Sequence, residues 1–81
     1  MEDIDARVRD IIAKQFDKPA GVLTPETTIA GDLSADSLDR VELIITLEQE
    51  FDIEIYDEEF EHAATVGEII ACVKRKFAET V

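Results

Sequence analysis

From Leu38 to Phe51 the chain carries apolar residues on two sides of one helix, and this pattern restricts the fold more than any other feature. At about 100° per residue, Leu43, Ile44, Leu47 and Phe51 cluster on one side. Leu38, Val41 and Ile45 cluster nearly opposite. The first stripe is enough to bury the helix in a bundle. The second is surplus. Glu42 and Gln49 border it on one edge and Glu48 on the other. Two readings fit. A central helix can be buried on both faces, or the surplus strip can be a surface where a partner docks. The carboxylate rim favours docking, because unpaired carboxylates are seldom fully buried.

Eighty-one residues predict one domain spanning 1–81. Cys72 is the sole cysteine, so no internal disulfide can staple the fold and packing must hold it. That suits a reducing compartment, and cytoplasmic residence is the expectation. No apolar run approaches the roughly 18 residues of a membrane span. The acidic start, Met1 to Asp5, resembles neither a secretory signal nor a transit peptide.

The net charge of −12 argues against nucleic acid and against anionic membrane surfaces. Its distribution is more telling. Residues 32–61 hold twelve acids and a single base, Arg40, while the remainder holds eight acids and seven bases. Solubility alone does not require such segregation. A field this lopsided steers basic partners toward one region.

The order of elements follows from spacing and breakers. Asp3 to about Phe16 reads as a helix through Ile4, Val8, Ile11 and Ile12, ended by Pro19 and Gly21. Residues 17–36 form a long connection anchored by Val22, Leu23, Ile29 and Leu33, with a helical turn expected at Thr24-Pro25-Glu26. The second helix runs from Asp36 or Ser37 to about Phe51. Ile53 and Ile55 lie in an extended connector. Asp57 to His62 reads as a short helix anchored by Phe60. Thr65-Val66-Gly67-Glu68 is a capping box for a last helix to about Phe77. Val66, Ile69, Ile70, Val73 and Phe77 form its core face. Cys72 falls off that face, a partly covered thiol, and Lys74 to Lys76 sit in the expected last turn. The fold class is therefore all-α: a four-helix bundle of three longer helices and a short one.

Ser37 lies where the second helix begins, one of only two serines. It can be a cap or an attachment point. A phosphate there would meet the positive end of the helix dipole and unpaired backbone N–H groups. Catalysis by Ser37 is not supported. The single histidine, His62, reads as an exposed helix-end residue, and no Gly-x-Ser-x-Gly elbow surrounds the serine. No catalytic residue is assigned. A calcium loop counted from Asp32 fails as well. Its sixth position is Ser37 rather than Gly, and its twelfth is Leu43 rather than Glu. No metal ligands are assigned, although loose divalent binding by clustered carboxylates would relieve self-repulsion.

These residues carry a resemblance. Gly31 through Leu43, containing Asp36-Ser37-Leu38-Asp39-Arg40-Val41-Glu42-Leu43, is followed by Leu47-Glu48-Gln49-Glu50-Phe51. With Ile53-Glu54-Ile55, Asp57-Glu58-Glu59 and Thr65-Val66-Gly67-Glu68, the chain resembles the discrete, type II acyl carrier proteins of fatty acid synthesis. The resemblance implies a monomeric four-helix carrier without catalysis of its own. Ser37 would receive 4'-phosphopantetheine as a phosphodiester from coenzyme A, flanked by Asp36 and Leu38. The terminal thiol would carry acyl groups as thioesters. Asp36, Leu38, Asp39, Val41, Glu42, Ile45 and Glu48 would meet basic patches on the phosphopantetheinyl transferase and on acyl-processing enzymes. Leu43, Ile44, Leu47, Ile55, Phe60 and Ile70 would line an acyl pocket. Neither nucleic acid nor membrane is implied as a partner. Departures from the family pattern cluster near these regions. Ser34 replaces a usual glycine, Tyr56 a common proline, and Phe60 and Ala63 exchange the usual apolar sizes. A polyketide or aminoacyl carrier of the same fold is the nearest alternative, and an acidic divalent-binding or protein-interaction module the next.

Overall fold

The computed structural model describes residues 3–80. Among them are four α-helices: α1 (Ile4–Gln15), α2 (Ser37–Phe51), the short α3 (Asp57–Glu61) and α4 (Val66–Thr80). A single 3-10 turn at Ala20–Val22 interrupts the long connection. No strand occurs among the described residues, and an isolated antiparallel bridge joins Thr28 to Thr65. The all-α expectation of three longer helices and a short one is met.

The three longer helices each start for a local reason. The Asp3 carboxylate accepts from the Ala6 amide and caps α1. Asp36 caps α2, and Asp52 ends it in the left-handed region at φ 53°. Thr65 and Glu68 form the expected box at α4. The Thr65 hydroxyl accepts from the Glu68 amide at 3.2 Å, and the Glu68 carboxylate accepts from the Thr65 amide at 3.2 Å.

One core joins the elements. Val8 and Ile12 of α1 meet Leu43, Leu47 and Phe51 of α2, Phe60 of α3, and Val66, Ile69, Ile70 and Val73 of α4. Ile53 and Ile55 of the extended connector are also buried. Phe51 and Phe77 meet edge to face with ring centroids 6.2 Å apart.

The long connection is part of the core rather than slack. Leu23, Ile29 and Leu33 are buried in it, whereas Val22, expected as a fourth anchor, is exposed. The regular turn lies at residues 20–22 rather than at Thr24-Pro25-Glu26. There the Thr27 hydroxyl accepts from the Thr24 amide at 2.9 Å and closes a non-helical turn. Backbone bonds then fasten the connection to α4: Val66 N–H donates to the Thr27 carbonyl and Gly67 N–H to the Pro25 carbonyl. A Cβ on Gly67 would stand 3.0 Å from that Pro25 oxygen, so glycine permits the approach.

Two expectations for α4 need correction. The helix continues to Thr80, so Lys74, Arg75 and Lys76 precede its last turn. They serve as cross-links instead. Lys74 pairs with Asp5 of α1 at 2.6 Å, and Lys76 with Glu59 of α3 at 2.7 Å. Cys72 is buried rather than partly covered. It shares a small depression with Glu59 and Ala63, because the α3 region covers that flank of α4. Desolvation pushes its thiol pKa up, away from a reactive thiolate.

Candidate functional site

Ser37 is the first residue of α2 and Asp36 is its cap, which settles where the helix starts and which of the two residues caps it. Asp36 Oδ1 accepts from the Asp39 amide at 2.9 Å, and Asp39 Oδ2 accepts from the Asp36 amide at 3.1 Å. This reciprocal box occupies both carboxylates and leaves the serine out of the capping. Ser37 is exposed, and among the described residues its hydroxyl makes no hydrogen bond. The Ser37 and Leu38 amides find no protein acceptor either, as the first amides of a helix have none within it. An outward alcohol therefore stands beside two unpartnered N–H groups at the positive end of a fifteen-residue helix.

The approach to this serine is strained. Ser34 holds φ 55°, in the left-handed region where a side chain is disfavoured and glycine is at ease. That is the position where the resembled family usually has glycine. Ala35 N–H donates to the Ile29 carbonyl at 3.0 Å and fixes the turn into Asp36.

The surplus stripe of α2 points outward. Leu38 is 65% exposed, Val41 49% and Ile45 47%. Around it the carboxylates differ. Asp36 and Glu42 are exposed, while Asp39 and Glu48 are half-buried. Glu48 accepts from the Ile55 amide at 2.9 Å and so holds the connector after α2. Its position is structural as well as peripheral to the stripe.

Beside Ser37 an open groove of about 410 Å³ runs between α2 and α3. It is lined by Ser37, Arg40, Val41, Ile44, Phe60 and Glu61. Of the six residues expected around an acyl chain, Ile44 and Phe60 line this groove. Leu43, Leu47, Ile55 and Ile70 lie deeper, packed in the core. Arg40 crosses the groove. Its guanidinium donates to the Phe60 carbonyl at 3.0 Å and sits 5.7 Å from the centre of the Phe60 ring. Sequence reasoning noticed Arg40 as the lone base of the acidic stretch and missed this bond.

The three other substituted positions have structural roles. Tyr56 donates its amide to Glu59 Oε1 at 3.2 Å, a bond that proline could not make. Its ring also lies 4.9 Å from the Lys76 ammonium. Phe60 and Ala63 are both buried. Among the described residues, no three His, Cys, Asp or Glu side chains converge as a metal-holding group. His62 is an exposed residue at the end of α3.

The chemistry of this spot fits a serine-linked phosphodiester. The alcohol is free and accessible, the amides beside it favour anionic oxygen, and an adjacent groove can receive what the phosphate bears. Residues 6–73 match the family model for the phosphopantetheine attachment site. The fold is similar to the acyl carrier protein from Enterococcus faecalis, at a TM-score of 0.78 and 36% identity over 90% of this chain and 92% of that one. It is similar also to the holo acyl carrier protein from Geobacter metallireducens, at 0.81 and 32% identity over 99% and 91% of the two chains. Members of this family bear phosphopantetheine, carry rather than catalyse, and work with transferases and acyl-processing enzymes. The coincidence of sequence, helix order and an open serine at α2 identifies the chain as a member of the acyl carrier protein family.

Proposed function

We propose that residues 1–81 form a single monomeric carrier domain that presents acyl groups on 4'-phosphopantetheine esterified to Ser37, in fatty acid or related biosynthesis. One observation carries the choice of residue: the Ser37 hydroxyl is exposed and unbonded where the cap is made by its neighbour. Ser34, the other serine, precedes the helix and sits in a strained turn at φ 55°. When bound, the arm supplies a thiol that holds acyl groups as thioesters. The protein's own contribution is to present, orient and partly shelter that cargo. Asp36 fixes the helix start beneath the serine, and Ile44 and Phe60 offer apolar cover along the groove.

Leu38, Val41 and Ile45 supply an apolar docking strip within an acidic field of Asp36, Asp39, Glu42 and Glu48. Basic patches on the transferase and on acyl-processing enzymes complement it. Such a surface favours fast association with modest affinity, which suits a protein that must leave each partner. Its strength falls as salt screens the rim. The groove and the packed residues beneath it, Leu43, Leu47, Ile55 and Ile70, are the proposed acyl site.

Intact-mass measurement tests the assignment. With coenzyme A, magnesium and a broad transferase, the wild type gains one phosphopantetheine and Ser37→Ala gains none. An adduct that persists in Ser37→Ala would move the attachment to another residue.

A further inference from the structure

Arg40 is the one base among residues 32–61, and neither the capping of α2 nor the docking strip uses it. It stands three residues after Ser37, so the two side chains share a helix face about 5–6 Å apart at Cβ. Long side chains on a helix lean toward its N-terminus, and Ser37 lies on that side of Arg40. Both residues line the same groove.

One N–H of Arg40 donates to the Phe60 carbonyl at 3.0 Å, and that bond secures the guanidinium to the end of α3. A guanidinium has five N–H donors in a fixed fork, so further donors remain for an acceptor in the groove. A phosphodiester on Ser37 would bring one negative charge, shared by two non-bridging oxygens, into the same groove. Bonds from arginine to phosphate are roughly twice as strong as neutral ones and are often paired. The acidic stretch sharpens the need, since Arg40 is the one cation among the residues that line the groove.

We infer that Arg40 is a positioning residue for the arm. Its guanidinium, anchored on the Phe60 carbonyl, binds the phosphodiester on Ser37 and holds the root of the arm over the α2–α3 groove. This rests on Ser37 as the attachment residue. The arm then leaves the protein along the groove rather than rotating freely in solvent.

Phosphorus NMR on the loaded protein tests this. In the wild type the phosphodiester resonance should show a cross-peak to the Arg40 guanidinium protons and restricted motion. In Arg40→Gln the cross-peak disappears and the phosphorus relaxation reports more internal motion than in the wild type, with helicity retained by circular dichroism. Arg40→Lys, which keeps the charge without the fork, should recover part of the restriction. Should either variant unfold, the wild type decides alone. Its Arg40 guanidinium nitrogen resonances must shift on loading and must not shift when Ser37→Ala is mixed with coenzyme A. Loaded protein with no guanidinium shift, or identical phosphorus relaxation in folded wild type and Arg40→Gln, overturns the role of Arg40 and leaves the carrier reading intact. Failure to load at Ser37 overturns both, and intact mass shows which has happened.

Discussion

At the N-terminus of α4 each of the first four amides meets a protein acceptor, whereas at the N-terminus of α2 the first two meet none among the described residues. Both ends carry a capping box, Thr65 with Glu68 and Asp36 with Asp39. Local chemistry is therefore the same. The difference comes from the long connection, whose Thr27 and Pro25 carbonyls receive the Val66 and Gly67 amides. Val66, the first residue of α4, is fully buried, and Ser37, the first residue of α2, is exposed. One helix end is spent on stability. The other is left open to whatever is attached there.

The largest expected effect removes the open end's function without touching the fold. Ser37→Ala loses all loading by intact mass, while urea unfolding stays within about 0.5 kcal/mol of wild type, since its hydroxyl bonds nothing. A large loss of stability would place Ser37 among the structural residues and erase the contrast. Next, Ile45→Asp tests the strip below it. Ile45 is 47% exposed, so helicity should hold while turnover by a partner enzyme falls roughly tenfold, equivalent to about 1.4 kcal/mol of lost docking. Melting of α2 in that variant would show the strip to be core.

Thr65→Ala is the converse experiment. It removes the cap of the sealed end, and about 1 kcal/mol of stability should go with it. For a domain this small that lowers the melting temperature by about 4–8 °C, with loading at Ser37 unchanged. Equal effects on loading and stability in both variants would mean that the two ends are not specialised.

How much of this was legible beforehand depends on whether the cause was local. The Thr65–Glu68 box and the two stripes of α2 are set by residues three or four apart, and the sequence displays them directly. The closure of α4 is made by backbone carbonyls of Pro25 and Thr27, which have no residue-type signature. Arg40 was conspicuous by charge, yet its partner is the carbonyl of Phe60, twenty residues away. Cys72 looked peripheral on the helical wheel of α4 because the flank covered by α3 cannot be seen from one helix alone. Glu48 was legible as a rim carboxylate, and its bond to the Ile55 amide was not.

The lead-in to the open end offers a smaller test. Ser34 occupies φ 55° with a side chain, a conformation that costs an ordinary residue about 1 kcal/mol relative to glycine. The greater freedom of glycine in the unfolded chain offsets part of that. Ser34→Gly should therefore raise stability by about 0.5 kcal/mol in urea. The sealed end has no such strain to relieve. A loss of stability would mean that the Ser34 side chain contributes an interaction that outweighs its backbone.

The smallest effect concerns the ion pairs that extend the sealed side from α4 to α3. Lys76 and Arg75 of α4 approach Glu59 at 2.7 Å and 3.4 Å. The hydrogen bond from Lys76 is the main cause that holds the Glu59 pKa below its ordinary value, and the same bond raises that of Lys76. A lowered carboxylate pKa contributes stability that is present above the ordinary glutamate value of 4.5 and lost as pH falls through the depressed one. The raised lysine contributes stability that is present below the ordinary value of 10.5 and lost only above it. Both contributions are therefore in place at neutral pH, and acid removes the first. Wild type should melt slightly above Glu59→Gln at pH 7, and the gap should close in acid as Glu59 protonates. Because these side chains remain partly solvated, salt should shrink the gap as well. A gap that survives at acid pH would show that Glu59 acts through packing or through its bond to the Tyr56 amide, rather than through its charge.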